Sequence, residues 1–142
     1  MAREKTLNRF IEAQEQDYGQ ALSEIKQGRK RSHWMWYIFP QISGLGFSET
    51  SKFYAIKDLA EAEEYLSHPI LGSRLLEISA ALLALEESDA LKIFGSPDNM
   101  KLKSSMTLFA SIDDAPQLFK SVLNKFFSGE TDPETLKLIK NG

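Results

Sequence analysis

Apolar residues at Leu7, Phe10, Ile11, Tyr18, Ala21, Leu22 and Ile25 recur at spacings of three, four and seven, the stripe of one α-helical face. Thr6 is placed to cap that helix, and Gly28 supplies a left-handed stop. Pro40 and the glycines of Ser43-Gly44-Leu45-Gly46 break regular structure next. Such a loop can approach a phosphate, but this one lacks the further glycine and the lysine of phosphate loops and reads as a turn. Ser48 or Ser51 then starts a short helix through Tyr54 to Lys57. Asp58, with Glu61 three residues on, forms a variant of the capping box ahead of Leu59, Ala62, Tyr65 and Leu66. His68-Pro69 ends this element, and Pro69 suits the first turn of the following one.

That following segment carries Leu71, Leu75, Ile78, Leu82 and Leu85, the most hydrophobic stripe of the chain, and is expected at the centre. Ser88 caps a short helix to Phe94, stopped by Gly95, and another opens at Ser96-Pro97 and runs through Met100, Ser104 and Leu108. Asp114 or Asp113 is expected to cap the segment of Leu118, Phe119, Val122, Leu123 and Phe126. Thr131-Asp132-Pro133-Glu134 reads as a capping box with proline in the first turn of a final helix. Met35 to Phe39 is compatible with a strand in composition, but a lone strand has no partner. The pattern predicts an all-α fold: one domain over 1–142, a compact bundle of about seven helices of unequal length.

Composition narrows the classes of function. A chain of 142 residues suffices for one domain with a core, and 42% hydrophobic with 26% charged residues is ordinary for a globular protein. There is no cysteine, which removes disulfides, thiolate nucleophiles and cysteine-based metal centres and fits a reducing cytoplasm. Neither histidine has the spacing of a metal pair, so no metal and no cofactor is expected. No apolar run of roughly 18 residues is present, and Met1 to Lys5 leads into a charged segment, so a cytoplasmic protein without membrane contact is expected. A net charge of −3 argues against general nucleic-acid binding.

Against that background, Arg29-Lys30-Arg31-Ser32-His33-Trp34-Met35-Trp36-Tyr37-Ile38-Phe39-Pro40 stands apart. Three cations and a histidine abut both tryptophans, the combination that holds a flat or anionic ligand. Trp34, Trp36 and Phe39 cannot all project from one surface, so at least one tryptophan belongs to the core. His33 is the candidate catalytic acid or base, because histidine exchanges protons near neutrality, or else a group bonded to a helix end. His68 reads as a helix cap or hinge contact. Gln14, an amide on the first apolar stripe, is either a core group or a ligand contact. Lys101, Ser104, Ser105 and Thr107 form a second polar cluster on one predicted helix. A lysine can activate a serine nucleophile, but the usual Ser-x-x-Lys order is reversed here. Otherwise the hydroxyls pack between helices or, with Lys101, bind the same anion as Arg29 and Lys30.

The motifs Arg9-Phe10-Ile11-Glu12-Ala13-Gln14, Ser32-His33-Trp34-Met35-Trp36, Ile38-Phe39-Pro40-Gln41, His68-Pro69-Ile70-Leu71-Gly72, Ile93-Phe94-Gly95 and Lys101-Leu102-Lys103-Ser104-Ser105-Met106-Thr107-Leu108-Phe109 resemble the bacterial family known as domain of unknown function 1810, in order along nearly the whole chain. Some members of that family have carried a misleading calpastatin label. The resemblance implies a compact, mainly helical domain and transfers no catalytic residue.

Two readings of function follow. In one, Gln14, Arg29, Lys30, Trp34, Trp36, Lys101, Ser104 and Ser105 line a pocket for an anionic, nucleotide-like small molecule, with His33 serving hydrolytic or transfer chemistry. In the other, the domain is a protein-interaction or structural module whose basic-aromatic segment meets an acidic protein partner.

Overall fold

The structure, a computed structural model, describes residues 6–141; Met1 to Lys5, read above as a charged lead-in, and Gly142 lie outside the described residues. Among the described residues there are nine helices and no strand: α1 (Asn8–Lys26), α2 (Met35–Ile38), α3 (Glu49–Phe53), α4 (Leu59–Ser67), α5 (Leu71–Ala84), α6 (Ala90–Phe94), α7 (Asp98–Ala110), α8 (Leu118–Phe127) and α9 (Pro133–Asn141). The fold is all-α. The count exceeds seven chiefly through very short elements. One is α2, a four-residue turn in the stretch whose composition also suited a strand.

α5 is central, packed against α1, α4 and α8. Its Leu71, Leu75, Ile78 and Leu82 are all buried, as the stripe requires. The approach of α4 to α5 is set by Gly72, where a β-carbon would lie 2.0 Å from the Leu66 carbonyl oxygen. At the far end, α8 completes α5. Lys125 Nζ donates to the Leu82 and Leu83 carbonyls at 3.1 Å each, and to that of Leu85, filling acceptors that a helix C-terminus leaves open.

A file of rings threads four helices. Phe10 of α1 meets Tyr65 of α4 edge-on with centroids 5.1 Å apart, Tyr65 meets Phe109 of α7 at 5.4 Å, and Phe109 meets Phe119 of α8 at 5.8 Å. Such tilted contacts suit the ring quadrupoles. α7 is enclosed by α4, α6, α8 and α9. Its buried residues Leu102, Ser104, Ser105, Met106, Thr107, Leu108 and Phe109 therefore run around the helix instead of along one stripe.

Several expected caps are present. Asp58 Oδ1 accepts from the Glu61 N–H at 2.9 Å and Ser48 Oγ from the Ser51 N–H at 3.1 Å. Gly28, at φ +81°, closes α1 through two backbone bonds, its own N–H to Ile25 (2.8 Å) and that of Arg29 to Glu24 (3.0 Å). His68 Nδ1 accepts from the Ile70 and Leu71 N–H groups, the cap expected of it.

Others differ. α1 is entered through Leu7 without a side-chain cap; Thr6 Oγ1 accepts only from the Asn8 N–H, at 3.3 Å. Pro69 precedes α5, and Asp89 caps α6 in place of Ser88. Asp132 caps α9 where Thr131 headed the expected box. Neither Asp113 nor Asp114 caps α8, which starts after Gln117 with no side-chain bond; Asp114 sits in a left-handed turn at φ +61°. A short turn before α8 separates these acids from the helix, so proximity in sequence does not become a cap.

Candidate functional site

The geometry begins at Glu24, on the buried face of α1. Its Oε1 accepts from the N–H groups of Arg31 (2.7 Å) and Ser32 (3.0 Å) and from Trp34 Nε1 (2.9 Å). Its Oε2 accepts from Ser32 Oγ (2.7 Å) and Gln20 Nε2 (3.0 Å). Burial alone would raise this carboxyl; the bonds from Arg31, Ser32, Trp34 and Gln20 outweigh it and hold the pKa at about 2. One carboxylate thus fixes the basic loop from within. Sequence reasoning missed it, although the signal was there. Glu24 lies three residues beyond Ala21 on the Phe10–Ala21 stripe, a charge on an apolar face just before a glycine stop.

With the loop fixed, Trp34 is buried against Phe39 and Phe94, with ring centroids 6.3 and 6.4 Å away. The Lys30 N–H donates to the Ile93 carbonyl at 2.7 Å. Lys30 Nζ lies 5.1 Å over the Trp34 ring and 2.8 Å from Asp98 Oδ2. Lys101, one turn along α7, repeats the arrangement: its Nζ lies 4.6 Å over the Trp36 ring and 3.1 Å from Asp98 Oδ1. Each ammonium has its own indole and its own oxygen of a shared carboxylate. Burial opposes the charge on Asp98, but the two ammoniums, Lys30 foremost, hold it below the ordinary carboxylate range.

Lys101 and Trp36 open onto a cleft of about 470 Å³. Met100, Lys101 and Ser104 of α7 line it, together with the 43–48 loop and Ser51 and Lys52 of α3. The loop is fastened by bonds from the Ser43 N–H to the Ile56 carbonyl and from the Ile56 N–H to the Gln41 carbonyl, both 2.8 Å. Its glycines serve close packing. A β-carbon at Gly46 would meet Ser51 Oγ at 2.4 Å, and Gly44 has φ +109°. Phe47, 87% exposed, and Met100, 49% exposed, add apolar surface to the lining.

Ser104 Oγ lies 3.2 Å from both the Met100 carbonyl and Asp132 Oδ2. Asp132 accepts in turn from the Thr135 N–H at 3.1 Å, and its own N–H donates to Thr107 Oγ1 at 2.9 Å. These hydroxyls therefore dock α9 onto α7 while one of them, Ser104, still faces the cleft.

Of the residues singled out in the sequence, the fold brings Trp36, Lys101 and Ser104 together on the cleft. Lys30 meets Lys101 at Asp98 but does not line the cleft. Gln14 is a core amide. Its Nε2 donates to the Tyr37 carbonyl (2.7 Å) and the Tyr65 hydroxyl (2.9 Å), and its Oε1 accepts from Arg74 Nη1 (3.4 Å). Trp34 and Ser105 are interior, the latter with no hydrogen-bond partner for its hydroxyl. Arg29 and His33 are exposed and do not line the cleft. Asp98 was missed, Asp132 was read as a helix start, and the glycine loop was read as a turn in preference to a phosphate loop. Among the described residues no cluster of histidines and acids is set to hold a metal ion, and no helix is long and apolar enough to cross a membrane.

The family model for the protein of unknown function DUF1810 matches residues 4–139. The chain belongs to that family. It is also similar, at 44% identity over 94% of this chain and 96% of the other, to the crystal structure of the conserved hypothetical protein Rv1873 from Mycobacterium tuberculosis, with a TM-score of 0.92. No curated protein matches the chain.

Proposed function

We propose that the cleft between α7 and the 43–48 loop receives a flat, anionic, nucleotide-like small molecule, and that the domain works in the cytoplasm. The observation that carries this reading is the placement of Lys101 over Trp36 on the wall of a 470 Å³ cleft, the size range of small-molecule sites. The half-buried indole offers a flat apolar edge and the ammonium an anion contact, while the Ser104 hydroxyl can turn toward a ligand. Phe47 and Met100 supply further apolar surface for a ring. The reading is one of binding. With His33 exposed elsewhere, the cleft itself supplies no histidine for hydrolytic or transfer chemistry.

The test is a thermal-shift and tryptophan-fluorescence screen against nucleosides, nucleotides and related aromatic anions. A stabilising ligand is expected whose effect is lost in Lys101→Met and Trp36→Leu and kept in Arg29→Ala and His33→Ala. No response across the panel, or a response indifferent to the cleft variants, overturns it.

A second reading has its own support. The Arg29, Arg31 and His33 side chains are exposed and, among the described residues, make no ion pair, while Glu24 fixes the loop that bears them. That is a preformed cationic surface for an acidic protein partner. Recovery of one stoichiometric protein by the wild type and not by Arg29→Glu/Arg31→Glu would favour it.

A further inference from the structure

We infer that Lys30, which does not line the cleft, is the positioning residue that makes Lys101 a seat for an anion. The inference rests on the reading of the cleft as an anion-binding pocket.

Asp98 alone with Lys101 would be a neutral ion pair within the first turns of α7. The structure adds a second ammonium to the same carboxylate, so Lys30, Asp98 and Lys101 together carry one surplus positive charge. Where that surplus is felt follows from exposure. The Lys30 side chain is 8% exposed, lies over Trp34 and is paired with Asp98, so its charge is held away from solvent. The Lys101 side chain is 23% exposed and lies on the cleft. Asp98, held by Lys30 at the shorter distance of 2.8 Å, is left as only a partial counterion for Lys101 at 3.1 Å.

The other charges on the cleft are Lys52, Asp132 and Glu134. Asp132 Oδ2 is engaged by Ser104 and Thr135, and substitutions within the triad leave all three charges in place, so they form a constant background. The ligand group implied is an anion small enough to sit beside a single ammonium, such as a carboxylate or one phosphate oxygen.

Collisional quenching of tryptophan fluorescence reads this charge with iodide as the anion, caesium as the cation and acrylamide as the neutral probe. Trp34 is buried, so quenching reports Trp36. Iodide quenches indole more efficiently than caesium whatever the local charge, so the iodide-to-caesium ratio of each variant is compared with that of the wild type. Loss or gain of one nearby charge is expected to change it about two- to threefold at low salt. Lys30→Met should lower iodide quenching to the level of Lys101→Met, Lys30→Arg should restore it, and Asp98→Asn should raise it above wild type. Acrylamide quenching should be equal in all of them. Wild-type iodide quenching in Lys30→Met overturns the inference. If Lys30→Met fails to fold, Asp98→Asn decides, and no gain there overturns it equally. Acrylamide failing to reach Trp36 in the wild type would instead remove the cleft reading itself.

Discussion

The Trp34 indole donates to the Glu24 carboxylate across ten residues, at 2.9 Å, inside the core. Sequence places one residue in a helix and the other in a basic loop; the bond makes them one unit, with the Arg31 and Ser32 N–H groups on the same oxygen. Glu24→Gln keeps the shape but loses the charge, and is expected to cost about 1.5–3 kcal/mol, the value of hydrogen bonds to a charged group. The carboxyl is depressed from 4.5 to about 2, so its contribution is complete above the ordinary value and is lost as pH falls toward 2. Melting temperatures of wild type and variant should therefore differ most above pH 4.5 and converge in acid. A gap that stays constant with pH would show that charge has no part in the clasp.

The two tryptophans should separate in their effects. Trp34→Ala opens a hole in a fully buried site and is expected to cost about 3–5 kcal/mol. Trp36→Ala, half-buried at the cleft, should cost less than half of that. Equal losses in chemical denaturation would contradict the division of the segment into core and site.

Gly72 is required by contact, since its φ is ordinary for a helix. Gly72→Ala would push a methyl group to 2.0 Å from the Leu66 carbonyl oxygen, which is backbone and cannot turn aside. A loss of about 1–3 kcal/mol is expected, against the small gain alanine brings in an open helix. A variant that melts at or above wild type would show that α4 and α5 separate freely.

Adjacent serines of α7 should behave oppositely. Ser104→Ala removes a donor to Asp132, leaves a cap of α9 weaker, and should cost about 0.5–1.5 kcal/mol. Ser105→Ala removes a buried hydroxyl that has no partner, and should be neutral or stabilising. Equal destabilisation of the two variants would show that the Ser105 hydroxyl has a partner of its own.

The helices were legible wherever local chemistry decides. The Asp58 and Ser48 caps, the Gly28 and Gly95 stops, and the α5 stripe all follow from residues a few positions apart. The Met35–Phe39 segment was not, because burial of Trp34, Met35, Ile38 and Phe39 against α1 and α6 overrides its composition. For the site, the sequence shows that cations and aromatics are gathered but not which acid accompanies them. Asp98 lies 68 positions from Lys30, and only the packing of α6 and α7 beside the basic loop joins them. The cleft is non-local in the same way, since Ser43, Lys101 and Asp132 meet on it from segments far apart in the chain.

Lys125 carries a last consequence. The three carbonyls that end α5 are answered from α8, forty residues later, so α5 has no complete end of its own. Detachment of α8 would strip α5 of its terminus and bare Phe119 and Val122 in the same step. The middle and the late part of the chain are thereby made to melt together, and amide exchange at the end of α5 should report the departure of α8 as faithfully as exchange in α8 itself.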